Sequence, residues 1–570
     1  MHSIEAIQYI SMNNNYVIYT SLIEGKYTVN SLSLKTKEKK ALFSSNKVIK
    51  IISYINKNNN FIFEKKDNET CNIYMYKDGN IQNLTPNQNS YFLKLNKEDQ
   101  ILYFESNIRD EKYMDVYSLN LQTGEIKLHF NNINKDIILS ISDNGENIIL
   151  SNLKNSNSKI KIENLNNNSV KILDDGVPQF FIKDCLYILT TDNHNYQYLK
   201  VICLNTLKVK KTYKHHWDII LAINSPCNNY LSYITNENGI FRLNIYDLTS
   251  NTALDMSFLP KGTIKSLSFS DDEKNLVVLI EKSNTPGDLY NINLKKYSIT
   301  KLTNVTGMTN DKNIFIEGNP IKYKNKKGIT IYGQLYLSNK SKSPLIILVH
   351  GGPGGQFILN FDILIQFLCL SGYSVFAINH RGSSGYGKDY LNSIDGEHGI
   401  EDLKDCIEAK DYFKNNPNID LSKVGIIGIS YGATLSLSSL AFFPGTFRFA
   451  INLFGVYNWL NSLKNLPESW DNYKYIFYRK IGHPTENPDH LKRISPYYHI
   501  SNIDSPVMFI SGGKDIRNNK DDLNYIVEKL KKRVPVYHLS YEEEGHGLNE
   551  YNNIIDCYTK IYTFIREYFN

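Results

Sequence analysis

Val424-Gly425-Ile426-Ile427-Gly428-Ile429-Ser430-Tyr431-Gly432-Ala433 is the stretch on which the reading of the chain turns. An apolar, β-branched run of strand type stops at Gly428, and Tyr431 to Phe443 has the small and apolar residues of a buried helix. Ser430 therefore falls on a strand-to-helix turn. A G-x-S-x-G turn of this kind holds its serine in a strained conformation with Oγ exposed. Gly428 and Gly432 are needed because a Cβ at either would collide with the neighbouring strand or helix. On its own the pattern is equally well a glycine-rich connection that happens to contain a serine. The residues around it decide.

Working outward, strands and helices alternate on both sides of this turn. A hairpin-like pair, Ile321 to Lys324 and Ile329 to Leu337, turns at Lys327-Gly328, and a continuous apolar strand, Leu345 to Val349, runs into His350-Gly351-Gly352-Pro353-Gly354-Gly355. Helix-like Phe361 to Leu370, strand Ser374 to Ile378 and helix Asp402 to Phe413 precede the serine. Strand Val507 to Ser511, helix Asp521 to Lys531, strand Val536 to Tyr541 and an amphipathic helix from Asn552 to Phe569 follow it. Alternation of this sort implies a mostly parallel, doubly wound sheet covered on both faces.

A serine hydroxyl needs a base to take its proton and an acid to orient that base. In such a sheet the partners come from loops after later strands, in the order Ser, Asp, His. Strand Val507 to Ser511 ends in Gly512-Gly513-Lys514-Asp515, and strand Val536 to Tyr541 is followed by Glu542-Glu543-Glu544-Gly545-His546-Gly547. Ser430, Asp515 and His546 are the expected catalytic residues. A tetrahedral intermediate also needs fixed N–H donors for its oxyanion. The amide of Tyr431 is one; the second is expected from the glycine run after His350, at Gly352. His350 itself reads as a loop-stabilising residue. Phe454, Val456, Tyr457 and Trp459, beyond the strand Phe449 to Leu453, are the expected wall of an acyl-side pocket, although core packing explains these side chains equally well.

The first three hundred residues follow a different grammar. A strand recurs as Tyr16 to Tyr19, Phe61 to Phe63, Ile101 to Phe104, Ile148 to Leu150, Leu186 to Leu189, Tyr230 to Tyr233 and Leu276 to Leu279. Its spacing is roughly 38 to 47 residues, close to the ~40–45 of a four-stranded propeller blade. Turn residues such as Asp143-Asn144-Gly145 and Ser270-Asp271-Asp272 fall between the first two strands of a copy, and Asp78-Gly79 and Thr123-Gly124 between the last two. Seven copies predict an N-terminal seven-bladed β-propeller over residues 1–310; the mostly parallel, doubly wound domain takes 311–570, with 306–317 as linker. A pair of β-sandwiches would explain the strands but not the single period.

Composition is that of a folded protein: of 570 residues 41% are hydrophobic and 21% charged. A net charge of +6, without a block of like charges, speaks against a nucleic-acid groove. Seven cysteines, odd in number and never spaced C-x-x-C, suggest reduced thiols in a cytoplasmic protein rather than a disulfide scaffold or a zinc site. With Glu5 and three asparagines early in the chain and no run of eighteen apolar residues, neither secretion nor a membrane partner is expected. No metal or cofactor is called for. The oligomeric state stays open, a homo-oligomer included.

Taken together, these residues resemble the prolyl oligopeptidase family of serine peptidases, the propeller-capped α/β-hydrolases. The resemblance is weak through the repeats and strong from Gly328 onward. It is carried by Tyr332-Gly333-Gln334-Leu335, His350-Gly351-Gly352-Pro353, Asn379 with Arg381-Gly382-Ser383-Ser384-Gly385-Tyr386-Gly387, the Ser430 turn, Ser495-Pro496, Pro506 with Gly513 and Asp515, and Glu544-Gly545-His546-Gly547. Tyr431 after the serine resembles the acylaminoacyl-peptidase branch. Arg517, two residues after the acid, matches an arginine that in relatives binds a substrate carbonyl; a surface salt bridge is its plainer reading. His380, Ala433 and Asn518-Asn519 depart from the pattern and bear on substrate preference. Dipeptidyl-peptidase relatives use paired glutamates on the propeller, and no Glu-Glu pair occurs before residue 542.

The resemblance implies hydrolysis of short peptides, N-acylated ones among them. An esterase, or an acyl transferase or macrocyclase, would use the same triad on a small acyl substrate. A propeller scaffold with a vestigial hydrolase domain is the non-enzymatic alternative.

Overall fold

Strand Leu345 to Val349 is apolar at every position, so it has to be covered on both faces. The computed structural model, which describes residues 5–55, 60–67, 70–152, 159–174, 176–305, 314–467, 470 and 473–569, places it inside an eight-stranded sheet. In chain order the strands are β1 Gly318–Lys324, β2 Thr330–Tyr336, β3 Ser343–Val349, β4 Ser374–Asn379, β5 Ile419–Ile429, β6 Ala450–Leu453, β7 Val507–Gly512 and β8 Val536–Tyr541. Across the sheet they lie in the order β1-β2-β4-β3-β5-β6-β7-β8. The β1–β2 and β2–β4 pairings are antiparallel and the remaining pairings parallel.

Alternate side chains of β3 leave by opposite faces: Leu345, Ile347 and Val349 join one core cluster, Ile346 and Leu348 the other. The first cluster is completed by helices α1 (Glu401–Tyr412) and α2 (Tyr431–Phe442), the second by the last helix, Tyr551–Phe569. Helix α2 is buried all round from Tyr431 to Ala441, which explains its serines and alanines: larger side chains would not fit between strand and neighbouring layers. Three short helices, Trp459–Lys464, Lys474–Lys480 and Pro488–Ile494, stand where the sequence showed no usable period.

The expected blades are present as seven four-stranded antiparallel sheets, each made of four consecutive strands. All seven recurring phrases are the second strand of their sheet. That strand lies between two neighbouring blades and needs apolar residues on both faces. In the first blade Val17 and Tyr19 pack with Val277 and Leu279 of the seventh, while Ile18 packs with Ile49, Ile51 and Phe61 of the second. The same contacts close the ring. Strand Ala6–Met12 lies against strand Thr263–Phe269, and the Met12 N–H donates to Ser268 Oγ at 3.1 Å. Among the described residues no strand is lent from one end of the repeats to the other.

The chain divides into two compact units, Met1–Lys312 and Asn313–Asn570. The expected linker lies, up to residue 313, outside the described residues. Among the described residues no helix is long and apolar enough to cross a membrane.

Candidate active site

Ser430 follows the last residue of β5 and precedes the first of α2. Its backbone is at φ 55° and ψ −116°, a region that non-glycine residues avoid. The surroundings enforce it. A Cβ at Gly428 would stand 1.9 Å from the Gly432 carbonyl oxygen, and one at Gly432 would stand 2.2 Å from the Val349 carbonyl oxygen. Both glycines are therefore set by close approach of helix, turn and β3. The Ser430 N–H donates to Leu453 O at 2.7 Å, tying the turn to β6.

Asp515 and His546 leave the ends of β7 and β8 on loops that touch backbone to backbone. A Cβ at Gly512 would lie 2.1 Å from Gly545 O, and one at Gly513 would lie 2.5 Å from Glu542 Cα. The Gly512-Gly513 pair is thus what lets Asp515 and His546 meet. The His546 ring lies with Nδ1 2.8 Å from Asp515 Oδ2 and Nε2 2.9 Å from Ser430 Oγ. An ionised carboxylate only accepts, so Nδ1 carries the proton and Nε2 is free to accept from the serine hydroxyl. Asp515 is buried and accepts two further bonds, from the Arg517 N–H at 2.9 Å and from Asn518 Nδ2 at 2.8 Å. The histidine loop is pinned by Glu544, also buried, which accepts from the N–H groups of Asn549 and Glu550 and from Asn553 Nδ2, each at 2.9 Å.

Gly352 and Tyr431 both line the cavity that contains Ser430 and His546. The Tyr431 amide stands in the first turn of α2, where no carbonyl of the helix can accept from it. The phenol of Tyr431 reaches the other way, donating to Asp402 Oδ2 of α1 at 2.5 Å, with His398 Nδ1 at 3.4 Å. Burial, then the Asp402 charge, push this phenol's pKa far up, so it remains a donor. Asp402 is held in turn by the N–H groups of Gly399 and Leu403. Behind the glycine run, His350 is bonded through Nδ1 to Gly351 O and through Nε2 to Ser383, and stacks on His380 with ring centroids 4.5 Å apart. Burial, then His380, push the His350 pKa down to about 3, so the pair is neutral packing behind the loop. Arg381 makes a two-pronged bond to Asp405 and a third to Glu401, which fastens its loop to α1.

The cavity has a volume of about 210 Å³. Val456, Trp459 and Arg517 line it, and the Arg517 guanidinium lies 5.0 Å from the Trp470 ring centre. Phe454 lines a second cavity that also reaches Ser430 and His546. Tyr457 lines neither. It is buried edge-on against Phe509 in the core, which corrects the expectation that it forms pocket wall. Sequence reasoning did not find Asp402, His398, Glu544, Asn518 or Trp470. Of these Asn518 had a signal, as a polar residue in place of an expected apolar one, and Glu544 stood in the Glu544-Gly545-His546-Gly547 phrase with no role assigned to it.

Comparison with known proteins follows the same outline. Residues 359–570 match the model of the prolyl oligopeptidase family. Dipeptidyl peptidase family member 6 of Caenorhabditis elegans is 27% identical over 335 residues, 54% of this chain and 45% of that protein. The acylamino-acid-releasing enzyme of Arabidopsis thaliana is 30% identical over 242 residues, 40% of this chain and 32% of that protein. The chain thus matches less than half the length of these relatives. Among solved structures, a puromycin-hydrolysing peptidase of Mycobacterium tuberculosis superposes with TM-score 0.83 at 14% identity, over 99% of this chain and 94% of that one. The Pyrococcus horikoshii acylaminoacyl peptidase superposes with TM-score 0.78 at 16% identity, over 99% and 96%. At these identities the superpositions speak for the fold, a seven-bladed propeller with an α/β-hydrolase domain. Through residues 359–570 the chain is similar to the prolyl oligopeptidase family.

Proposed function

We propose that the chain is a serine peptidase that hydrolyses short peptides, N-acylated ones among them, through an acyl-enzyme on Ser430. The observation that carries this reading is the unbroken line Ser430 Oγ, His546 Nε2, His546 Nδ1, Asp515 Oδ2, with the serine on a strained turn. His546 takes the hydroxyl proton as Oγ attacks the scissile carbonyl, and Asp515 steadies the imidazolium. The oxyanion faces the amides of Tyr431 and Gly352. The ring then gives its proton to the departing amine, and water repeats the sequence to release the acyl group.

Of the two cavities that reach Ser430, the one lined by Val456 and Trp459 is smaller than the ~300 Å³ at which whole-ligand sites begin, so it suits one substrate side chain. Val456 and Trp459 favour an apolar one, and Arg517 at the rim is placed to donate to a carbonyl of the acyl part. The family match over 359–570 supports a peptide as the acyl donor. Seven cysteines, none of them in a disulfide, support a cytoplasmic location.

A fluorophosphonate probe tests the nucleophile and a peptide mixture tests the substrate. The expected result is a single adduct on Ser430, absent from Ser430→Ala, with cleavage of free-amine and N-acyl peptides read by product mass. An adduct elsewhere refutes the nucleophile; an adduct on Ser430 with turnover of esters alone, or with amine-transfer products, refutes the peptidase reading.

A further inference from the structure

Cys185 and Cys203 are eighteen positions apart in sequence and face each other in the fifth blade, where strands Cys185–Thr190 and Tyr198–Cys203 pair antiparallel with these two residues directly opposite. The backbone bonding shows which kind of pair they form. The Cys203 N–H donates to Lys208 O at 3.0 Å and its carbonyl accepts from the Leu207 N–H at 2.8 Å, so both groups point to the far strand, away from Cys185. The bond to the Cys185 side is made one residue on, from Leu204 N–H to Asp184 O at 2.7 Å. Cys185 and Cys203 are therefore a non-hydrogen-bonded pair. In such pairs the Cα atoms approach to ~4.5 Å with side chains on one face, within the ~4.4–6.8 Å that a disulfide spans.

Both thiols converge on one carboxylate: Cys185 Sγ lies 3.6 Å from Asp184 Oδ1 and Cys203 Sγ 3.4 Å from Asp184 Oδ2. Lys210 Nζ stands 3.6 Å from the same Oδ1 and interacts with the Cys185 sulfur. Burial holds the Cys185 thiol above its ordinary pKa, with Lys210 acting the other way, so Cys185 is the entry point by exposure rather than by acidity. Cys185 is half-exposed while Cys203 is buried, so an external reagent reaches Cys185 first. The neighbouring strand Val209–Tyr213 carries Lys210 and Lys211, with Lys208 and Lys214 just beyond its two ends, a basic segment that attracts an anionic reagent.

We propose that Cys185 and Cys203 form a redox-active thiol pair that closes to a cross-strand disulfide by exchange with an anionic low-molecular-weight disulfide of the glutathione type. The Cys185 thiolate attacks one sulfur of the small disulfide, forming a mixed disulfide and expelling one small thiolate. Cys203, losing its proton, attacks the Cys185 sulfur and expels the second. Two protein thiols are oxidised, one small disulfide is reduced to two thiols, and the two protons from the protein go to the departing thiolates.

The full chain in its native state, equilibrated with oxidised and reduced glutathione at varied ratio, acid-quenched, alkylated and peptide-mapped, tests this. The expected product is a linked peptide pair containing Cys185 and Cys203, two hydrogens lighter than the reduced pair and reopened by reduced glutathione. In Cys203→Ser the expected product is instead a glutathione adduct retained on Cys185, because nothing resolves it. The proposal is overturned if both thiols stay open to alkylation at every ratio. It is also overturned if wild type keeps a stable adduct on either cysteine without the link, or if the link forms as readily in denaturant, where register no longer selects partners.

Discussion

Tyr431 is fixed at both ends: its backbone opens helix α2 directly after Ser430, and its phenol donates to the buried carboxylate of Asp402 at 2.5 Å. One residue thus couples the turn that holds the serine to helix α1, through a carboxylate itself held by two backbone N–H groups. Removing the phenol oxygen leaves Asp402 short of a donor and lets the first turn of α2 relax. Tyr431→Phe is expected to lower kcat about tenfold, less than the ~10²–10³ lost when an oxyanion donor is deleted outright. KM should change little. Steady-state kinetics check this, and a rise in KM at constant kcat would show that the phenol serves substrate binding instead.

Gly428→Ala and Gly432→Ala place a methyl group 1.9 and 2.2 Å from backbone oxygens that have no rotamer to change. Each is expected to destabilise the hydrolase unit by more than about 3 kcal/mol, beyond the range of ordinary substitutions. Gly445→Ala, at φ +75° with open space around it, should lose only the ~1 kcal/mol of a left-handed backbone. Thermal unfolding of the three variants separates collision from conformational cost.

Glu544 accepts three bonds at 2.9 Å, two from the loop that follows His546 and one from Asn553 of the last helix. In Glu544→Ala those donors lose their acceptor and the histidine loses its tether. A loss of about 2–4 kcal/mol in stability is expected, with a fall in kcat, whereas Glu544→Gln should keep part of both. Equal activity in wild type and Glu544→Ala would show that Asp515 alone positions the ring.

Within the propeller, burial, and then the charge of Glu64, push the Glu105 carboxyl up to about 7. The folded state therefore holds this proton where the unfolded chain, near pH 4.5, has lost it. The contribution of Glu105 to stability is fully present below about pH 4.5 and is lost as the pH rises through about 7. Glu105→Gln should remove that loss, raising stability at about pH 8 by on the order of 1–3 kcal/mol while changing little at about pH 4. Denaturant unfolding at the two pH values measures it. An equal effect at both would locate the cause in packing rather than in charge.

What the sequence by itself determined is whatever is written in local period and close approach. Each second strand is apolar at consecutive positions because two blades cover it, and that requirement repeats with the blade, so seven strands could be placed by spacing alone. Gly428, Gly432, Gly512 and Gly513 are legible for a related reason: backbone passing within van der Waals distance admits no side chain, and only one residue type lacks one. The strand-end loops that carry Ser430, Asp515 and His546 follow from the alternation of strand and helix. Tertiary structure alone decided the rest. Helices of six or seven residues between Trp459 and Ile494 are too short to show a period, so packing places them. Asp402 reaches Tyr431, and Cys185 faces Cys203, because sheet register and helix docking bring together positions that no local pattern relates. Tyr457 and Trp459 have the same apolar character in sequence, and only the path of the chain after β6 turns one into the core and the other toward the cavity.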